Sequence, residues 1–420
     1  MKKRILLIGY NYYPEYTGIG KYSGEMVYWL ARRGYDCTVI TAYPYYPQWK
    51  VTEAYAHKKN WFNTEQQTFD SGGRITVHRC PMYIPHKPSG IKRMLLDFSF
   101  LFTASLKLLQ LLFEKRMDLV VTVAPSFLVG LPGLFYKKIK KAKLLYHIQD
   151  MQIEAARDLN MIKSKSIIDI LFKIERFILR RCDFITTISE EMVQKLREKT
   201  RRDVNLFLNS VDIEMLYPIP NQERLKRDFG FKDNDRIILY SGAIGEKQGL
   251  ESILDLAKTF ECRRELKFVI CGSGPYKQKL IDLATSLQLT NIMFLPLQPT
   301  EKLNQFLNCA DVHLVIQKMG ASDLVMPSKL TSILAVGGVA VVTANERSGL
   351  YRLIDKNNIG ILVEPENQSS LILGIWKALE SDPTIIQQTA RSYAENNLSI
   401  DSIMSSFETK FGLNDFKVVY

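Results

Sequence analysis

Two stretches decide the fold of the second half of this 420-residue chain: RIILYSGAIGEKQGLESIL at residues 236–254 and MPSKLTSILAVGG at residues 326–338. The first runs from a short apolar strand through a glycine-bearing turn into a helical pattern that starts near Leu250. The second places Lys329 just inside another helix start, after a proline that the first helical turn tolerates. Glycines let the backbone approach an anion, and helix starts present free N–H groups with a partial positive charge. Two such helix starts in one domain predict a diphosphate site.

Strand-like and helix-like segments alternate in both halves of the chain, which predicts an α/β fold with parallel sheets. We expect two doubly wound Rossmann-like domains, residues 1–208 and 222–395, joined by a linker at 209–221 that contains prolines and turn formers. Residues 396–420 are expected to form a tail that packs back on the N-terminal domain. Ligands settle at the carboxyl ends of parallel strands, so the central cleft that the domains face is the expected site.

A glycine-bearing loop joins the predicted strand Ile5–Ile8 to a helix predicted from about Lys21 to Arg33. Gly18 and Gly20 lie in this loop and bring its backbone close to the expected cleft. The loop lacks the full GxGxxG spacing of dinucleotide folds. The glycines therefore indicate either a phosphate or sugar site or merely a tight turn.

Candidate site residues also follow two other predicted strands. His147 and Asp150 end the apolar run that starts at Leu144, where a strand's carboxyl edge would direct them toward sugar hydroxyls. A buried structural histidine is the alternative. Gly274 belongs to a second tight turn after the predicted strand Lys267–Cys271, where it either contacts a ligand or only shapes the cleft.

Composition and cysteine spacing limit the class of protein. With 46% hydrophobic and 24% charged residues the chain is expected to be a soluble globular protein. Its six cysteines are scattered without metal-ligand spacing, as in reduced cytoplasmic proteins. The apolar run at Ile5–Ile8 is too short for a signal peptide. Residues 233–235 match Asp-x-Asp in letters only, because they lie in a polar turn before a strand, and we expect no metal site.

Positive charge is concentrated in the first half of the chain. Residues 1–205 contain 34 Lys/Arg and 19 Asp/Glu, a net +15, whereas residues 206–420 contain 22 and 25, a net −3. This asymmetry indicates an anionic membrane surface, a lipid pyrophosphate or nucleic acid as partner, or else a solvated face. The densest cluster, residues 137–143, lacks interleaved aromatics, so we expect no nucleic-acid partner.

The segment from Ile91 to Phe113 is rich in Leu and Phe, but Lys92, Arg93 and Lys107 interrupt it. Its uncharged run is too short to span a membrane. The segment predicts either a core helix of the N-terminal domain or an interfacial helix with apolar side chains among lipid headgroups.

Taken together, several strings in this sequence resemble the GT-B glycosyltransferases of family 4, and in particular bacterial exopolysaccharide enzymes of the colanic-acid type. The resemblance covers nearly the whole chain. Its strings are YTGIGKY at 16–22, AYPYYPQW at 42–49, HIQD at 147–150, YSGAIGEKQGL at 240–250 and MPSKLTSILAVGG at 326–338.

The resemblance implies a retaining enzyme of the hexosyltransferase class that needs no metal. Its donor would be a GDP- or UDP-linked sugar, with fucose as one candidate, and its acceptor a lipid-linked oligosaccharide on undecaprenyl diphosphate at the inner membrane face. Lys247 and Lys329 would bind the diphosphate, and His147 would contact the donor sugar. The candidate catalytic residues are His147, Asp150 and Asp323, and the candidate donor-binding residues are Gly18, Gly20, Gly242, Lys247, Gln248, Gly274, Lys329 and Ser332.

This sequence departs from the family pattern at three positions. Ser332 stands where many members have the second of two glutamates, and the nearest acid to the first, Asp323, is one position out of register. Ala243 replaces the usual arginine of the first phosphate loop. These departures favour one alternative, a non-catalytic GT-B subunit that binds a nucleotide sugar for a partner.

Overall fold

The computed structural model describes residues 3–15, 18–86, 89–158, 162, 164–319 and 327–413. The chain forms two compact units. One comprises the chain up to Leu208 together with the segment from Met404 onward, and the other comprises Asn209–Ile403.

The described part of the first unit is built on an eight-stranded sheet. Its strands are β1 (Arg4–Ile8), β2 (Asp36–Ala42), β3 (Asn63–Thr68), β4 (Arg74–Cys80), β5 (Leu119–Ala124), β6 (Lys143–Ile148), β7 (Phe184–Thr187) and β8 (Val204–Leu206). The strand order is β3-β4-β2-β1-β5-β6-β7-β8, and neighbours are parallel except for the antiparallel pair β3 and β4. The order reverses beside β1, between β1 and β5, which is where doubly wound sheets bind ligands.

The helices of the first unit follow the strands as crossover connections. They are α1 (Gly18–Arg32), α2 (Gly90–Leu111), α3 (Gly130–Lys140), α4 (Gln152–Asp158), α5 (Lys165–Arg181) and α6 (Glu190–Lys199). The apolar β1 shows why the sheet lies inside: Leu6, Leu7 and Ile8 are at most 1% exposed. A parallel strand covered on both faces has this continuous apolar pattern.

The second unit is a six-stranded sheet in its described residues, with all neighbours parallel in the order β11-β10-β9-β12-β13-β14. Its strands are β9 (Arg236–Ser241), β10 (Leu266–Cys271), β11 (Ile292–Leu295), β12 (Val312–Val315), β13 (Ala340–Thr343) and β14 (Ile361–Val363). Its helices are α7 (Gln222–Asp228), α8 (Glu251–Thr259), α9 (Lys277–Ser286), α10 (Thr300–Asn308), α11 (Ser328–Ala335), α12 (Gly349–Asn357), α13 (Gln368–Glu380) and α14 (Thr384–Tyr393). The doubly wound α/β architecture predicted for both halves is confirmed.

The last described helix, α15 (Ile400–Lys410), returns the end of the chain to the first unit. Glu408 accepts hydrogen bonds from the Tyr35 hydroxyl at 2.8 Å and from Arg33 at 3.2 Å. The Phe407 ring packs against Phe207, with centroids 5.3 Å apart. The segment predicted as a linker hydrogen-bonds within the second unit, where Tyr217 N donates to Asn304 Oδ1 at 3.1 Å.

Two details of the first unit differ from the sequence-based expectation. Helix α1 begins at Gly18, three residues earlier than predicted, so Gly18 and Gly20 form its first turn and are not loop residues. Gly20 is required there for space, because a Cβ would lie 2.5 Å from Glu15 Oε2. Strand β3 was not predicted, since its sequence NTEQQT is polar and pairs only at the sheet edge.

Helix α2 has two apolar faces. Leu96, Phe100, Ala104 and Leu108 are buried, and the helix packs against β2, β4 and α3. Among the described residues it is the one helix whose length and composition alone would let it cross a membrane, over Lys92–Leu111. The buried face makes it part of the helical layer of the first unit. A second face remains uncovered: Leu95, Phe98, Phe102, Leu106 and Leu109 are each more than 40% exposed.

Candidate active site

The glycine-bearing loop after β9 is held by the turn that follows β10. Gly242 N donates to Cys271 O at 3.0 Å, and Ile244 N donates to Ser273 O at 2.9 Å. A Cβ on Gly274 would lie 2.0 Å from Ile244 O. Gly274, predicted either to contact a ligand or to shape the site, is therefore needed to let the two loops touch.

Lys329 lies beside this loop, in the first turn of α11. Its Nζ is 3.9 Å from the centroid of the Tyr240 ring, and its Cε lies 3.4 Å from the place where a Cβ on Gly242 would be. No carboxylate of the described residues forms an ion pair with Lys329. Burial lowers the pKa of the Lys329 ammonium to about 7. A cation with no charged partner among the described residues is the kind of group that an anionic ligand would stabilise.

Lys247 and Gln248 occupy a short 3-10 turn, Glu246–Gln248, before α8. The Gln248 side chain closes this turn, since its Oε1 accepts a hydrogen bond from Gly245 N at 3.1 Å. The side chain of Lys247 lies outside the described part of the structure. The donor-binding roles of both residues stay predictions.

Gln248 also borders an open cavity of about 410 Å³ at the carboxyl ends of β12, β13 and β14. Its charged lining is mostly acidic, because Glu251, Asp255, Glu364 and Glu366 face it beside Lys318. These carboxylates would repel a diphosphate. Gly242 and Lys329 do not line this cavity, and their assignment to the diphosphate stays a prediction.

His147 and Asp150 differ sharply in exposure. His147 is still within β6 and is 3% exposed, with its ring against Phe207 and its Nδ1 2.9 Å from Thr186 Oγ1. Burial lowers the pKa of His147 to about 3, so the imidazole is neutral. Its Nε2 has no hydrogen-bond partner. The expected exposed position at the strand edge is therefore occupied by Asp150, not by His147.

The loop after β1 is organised by a buried carboxylate that sequence analysis did not single out. Glu15 Oε1 accepts hydrogen bonds from Tyr45 N and Tyr46 N, both at 3.0 Å, and Oε2 accepts one from Asn11 Nδ2 at 2.8 Å. Glu15 thus joins the loop after β1 to the loop after β2. A Cβ on Gly18 would lie 3.6 Å from the Tyr46 ring, so this glycine and the tyrosine are neighbours.

The remaining predicted residues lie on or near α11. Ser332 is half-buried in the middle of that helix. Asp323 falls outside the described residues. Within the described part of the chain, no three His, Cys, Asp or Glu side chains are grouped so that they could hold a metal ion.

Comparison with known proteins identifies the family to which this chain belongs. The model for "Glycosyl transferases group 1" matches residues 221–397, and that for "Glycosyl transferase 4-like domain" matches residues 17–209. The putative colanic acid biosynthesis glycosyl transferase WcaI of Escherichia coli K12 is 38% identical over 96% of this chain and 98% of its own length. The chain is a family 4 glycosyltransferase with the GT-B fold.

Two further proteins resemble this glycosyltransferase more distantly. The Campylobacter jejuni N-acetylgalactosamine-N,N'-diacetylbacillosaminyl-diphospho-undecaprenol 4-alpha-N-acetylgalactosaminyltransferase is 25% identical over 46% of this chain and 48% of its own length. The Anabaena HepE structure in complex with UDP and glucose has a TM-score of 0.66, 14% identity, and coverage of 98% of this chain and 100% of that one. Membership in the family argues against the non-catalytic subunit.

Tyr240 and Lys277 are neighbours of the glycine-bearing loop after β9 that sequence analysis missed. The Tyr240 hydroxyl donates to Ala243 O at 2.6 Å and so fixes the loop next to Lys329. Lys277 Nζ donates to Gly272 O at 3.1 Å and to Leu295 O at 2.8 Å. An aromatic residue at a strand end before a glycine turn was the available signal for Tyr240. Lys277 gave none, since its partners are backbone carbonyls of other loops.

Proposed function

We propose that this glycosyltransferase moves a hexose, with fucose as the first candidate, from a GDP- or UDP-linked donor to a lipid-linked oligosaccharide in exopolysaccharide synthesis, with retention of configuration. The observation that carries the proposal is the half-buried ammonium of Lys329, which lies in the first turn of α11 beside the glycine loop at Gly242. The related structure with UDP and glucose and the relative named for a diphospho-undecaprenol substrate support the donor and acceptor classes.

In the proposed reaction the protein stabilises the leaving nucleoside diphosphate. In the proposed reaction the bond from the anomeric carbon to the phosphate oxygen breaks, and the acceptor oxygen bonds to the same face. A phosphate oxygen of the donor takes the acceptor proton, so no protein nucleophile is required. Lys329 and the free N–H groups at the start of α11 neutralise the developing charge without a metal.

Replacement of the half-buried Lys329 tests the proposed donor site. A charge-assisted contact to phosphate contributes about 1.5–3 kcal/mol, so Lys329→Ala should weaken nucleotide-sugar affinity about tenfold to a hundredfold. Lys302→Ala is the matched control, because Lys302 is an exposed lysine of α10 in the same unit. Thermal shift and calorimetry with UDP- and GDP-sugars measure the donor affinity of both variants. The same measurements show whether the donor carries uracil or guanine. Unchanged nucleotide-sugar affinity in Lys329→Ala would show that the diphosphate does not bind at Lys329.

We also propose that turnover needs no added metal. The ammonium of Lys329 and the helix start at Ser328 supply the positive charge that a metal supplies elsewhere. Sugar transfer should therefore keep its rate in EDTA. Loss of turnover in EDTA that Mg²⁺ or Mn²⁺ restores would show that a metal carries this charge.

We further propose that the enzyme works on the inner face of the cell membrane as a peripheral protein. Leu95, Phe98, Phe102, Leu106 and Leu109 form the uncovered apolar stripe of α2, and exposed basic residues at its start complement anionic headgroups. An amphipathic helix lying in the interface has this combination. A lipid-linked acceptor would reach the enzyme from the same surface.

A further inference from the structure

The ends of three neighbouring strands in the second unit are tied together by backbone hydrogen bonds. β9, β10 and β11 lie side by side and run parallel, so the turns that follow them start at the same edge of the sheet. Gly242 N donates to Cys271 O at 3.0 Å, and Gly272 N donates to Leu295 O at 3.2 Å. The three turns therefore form one continuous edge, which begins at the glycine loop beside Lys329.

Lys277, the first residue of α9, lies where this edge reaches β11. It is half-buried, and its Nζ donates to Gly272 O at 3.1 Å and to Leu295 O at 2.8 Å. A lysine ammonium has three N–H donors and no acceptor. Two of the three are thus used. Within the described part of the chain the third has no acceptor, and no carboxylate forms an ion pair with Lys277.

The loop after β11 adds an apolar side chain and is itself held in place. Leu297 in this loop is 61% exposed. Pro296 O accepts hydrogen bonds from Cys271 Sγ and from Gln298 Nε2, both at 3.0 Å. A small-molecule site combines apolar surface with a few polar groups that fix the orientation of the ligand. The exposed Leu297 and the free donor of Lys277 offer both kinds of contact in neighbouring turns.

The proposed donor would extend along this edge. With its phosphates at Gly242 and Lys329, a nucleoside diphosphate carries its base one ribose further along the sheet. Adjacent strands are about 4.8 Å apart, so β11 lies roughly 10 Å from β9, a distance that a ribose and a base can span. In the direction of β14 the edge leads instead to the mostly acidic cavity, which would disfavour an anionic nucleotide. The base is therefore expected near β10 and β11, where Lys277 lies.

We propose that Lys277 is a specificity-determining residue for the base of the donor, and that its third N–H donates to a keto oxygen, O4 of uracil or O6 of guanine. The inference rests on the proposed function and deepens it, because it names the side chain by which the same site distinguishes bases. Cytosine and adenine carry an amino group at the corresponding position. An amino group that faces the Lys277 ammonium places donors against donors with no acceptor between them, so keto bases are favoured over amino bases.

Two pairs of nucleotides measure this preference in the full chain by calorimetry. UDP is compared with CDP and GDP with ADP, and each pair shares the diphosphate, so the ratio of affinities within a pair reports on the base. The wild type should prefer the keto member about tenfold or more, the effect of one charge-assisted hydrogen bond. Lys277→Met should reduce this ratio to about one. Lys279→Met is the matched control and should keep the wild-type ratio, because Lys279 is an exposed lysine of the same helix whose Nζ donates to the Tyr276 hydroxyl.

A second variant separates recognition of the base from support of the turns. The amide of Lys277→Gln has two N–H donors, enough for the carbonyls of Gly272 and Leu295 but not for a base as well. This variant should keep the thermal midpoint of the wild type and lose the preference for keto bases. It measures the same ratio of affinities if Lys277→Met does not fold.

The outcomes distinguish this inference from the proposed function. If the wild type binds the keto and the amino member of a pair equally, the inference is overturned and the proposed function stands. An unchanged ratio in folded Lys277→Gln or Lys277→Met would also overturn it, because another group would then distinguish the bases. If the wild type binds none of the four nucleotides, the proposed function fails and this inference fails with it.

Discussion

At the scale of single residues, we expect Lys329 to make donor binding depend on pH. Its pKa of about 7 in the free protein lies below that of an ordinary lysine, because burial disfavours the ammonium. A diphosphate favours the ammonium and raises this pKa, so binding takes up a proton above pH 7. Affinity should be highest below pH 7 and fall by up to about tenfold per pH unit above it, until the pKa of the bound state is reached.

The matched variant for this prediction is Lys329→Arg, which stays charged throughout the range. Its donor affinity should therefore be flat between pH 6 and 9. The ligand should be an intact nucleotide sugar, because a terminal phosphate titrates near pH 6 on its own. Identical pH profiles for the wild type and Lys329→Arg would mean that Lys329 does not titrate in this window.

Sequence analysis anticipated that Lys329 would lie near the glycine loop after β9, while the functional roles of the site residues stay predictions. The position of Lys329 beside the glycine loop followed from local signals, a helix start and a glycine turn. The close approach of Gly274 to Ile244 and the ring of Tyr240 under Lys329 depend on contacts between loops far apart in sequence. His147 was expected at an exposed edge, but the strand continues to Ile148 and keeps it inside.

At the scale of elements, α2 should attach the first unit to anionic membranes. Each basic residue near such a surface contributes about 1 kcal/mol within a Debye length. Lys92→Glu/Arg93→Glu should therefore reduce co-sedimentation with phosphatidylglycerol vesicles, and high salt should weaken binding of the wild type. Lys302→Glu changes a charge in the second unit and should have no effect.

A variant of the apolar stripe shows whether membrane binding also needs apolar contacts. Phe102→Ser/Leu109→Ser alters two side chains that are 66% and 44% exposed, so the fold should survive. If this variant binds vesicles as strongly as the wild type, the interaction is electrostatic and the apolar stripe does not contribute to it. Binding by the wild type that ignores salt would indicate deeper insertion than an interfacial helix makes.

Most elements could be predicted from apolar periodicity, and the exceptions have local causes. The strands predicted at Ile5–Ile8 and Lys267–Cys271 each begin one residue earlier in the structure and end where predicted. The polar β3 has no apolar pattern, because a strand at the sheet edge needs only backbone hydrogen bonds to its neighbour. The start of α1 was misplaced because glycines are poor helix formers, yet packing against Glu15 admits nothing larger than Gly20. Which face of α2 is buried could not be predicted, because large apolar side chains occur on both its buried and its exposed faces.

At the scale of the whole molecule, the end of the chain should stabilise the first unit. Phe407 is 2% exposed and packs against Phe207, whose ring in turn contacts that of His147. The sequence predicted that the tail returns, but its partners depend on contacts across some two hundred residues that no local pattern encodes. The chain thus closes its first unit with its last helix, α15.

Truncation of this aromatic contact tests the role of the tail. Phe407→Ala should lower the free energy of unfolding by about 3–5 kcal/mol, the usual cost of removing a buried phenyl ring. Phe113→Ala is the matched control, because Phe113 is 93% exposed and its loss should change stability by less than about 0.5 kcal/mol. Hydrogen exchange should show the lost protection in β6, β7 and β8, with β9 to β14 unchanged, because the Phe407 contacts lie in the first unit. If Phe407→Ala and Phe113→Ala have the same free energy of unfolding, the tail does not stabilise the first unit. Loss of protection that begins in β9 to β14 would have the same meaning.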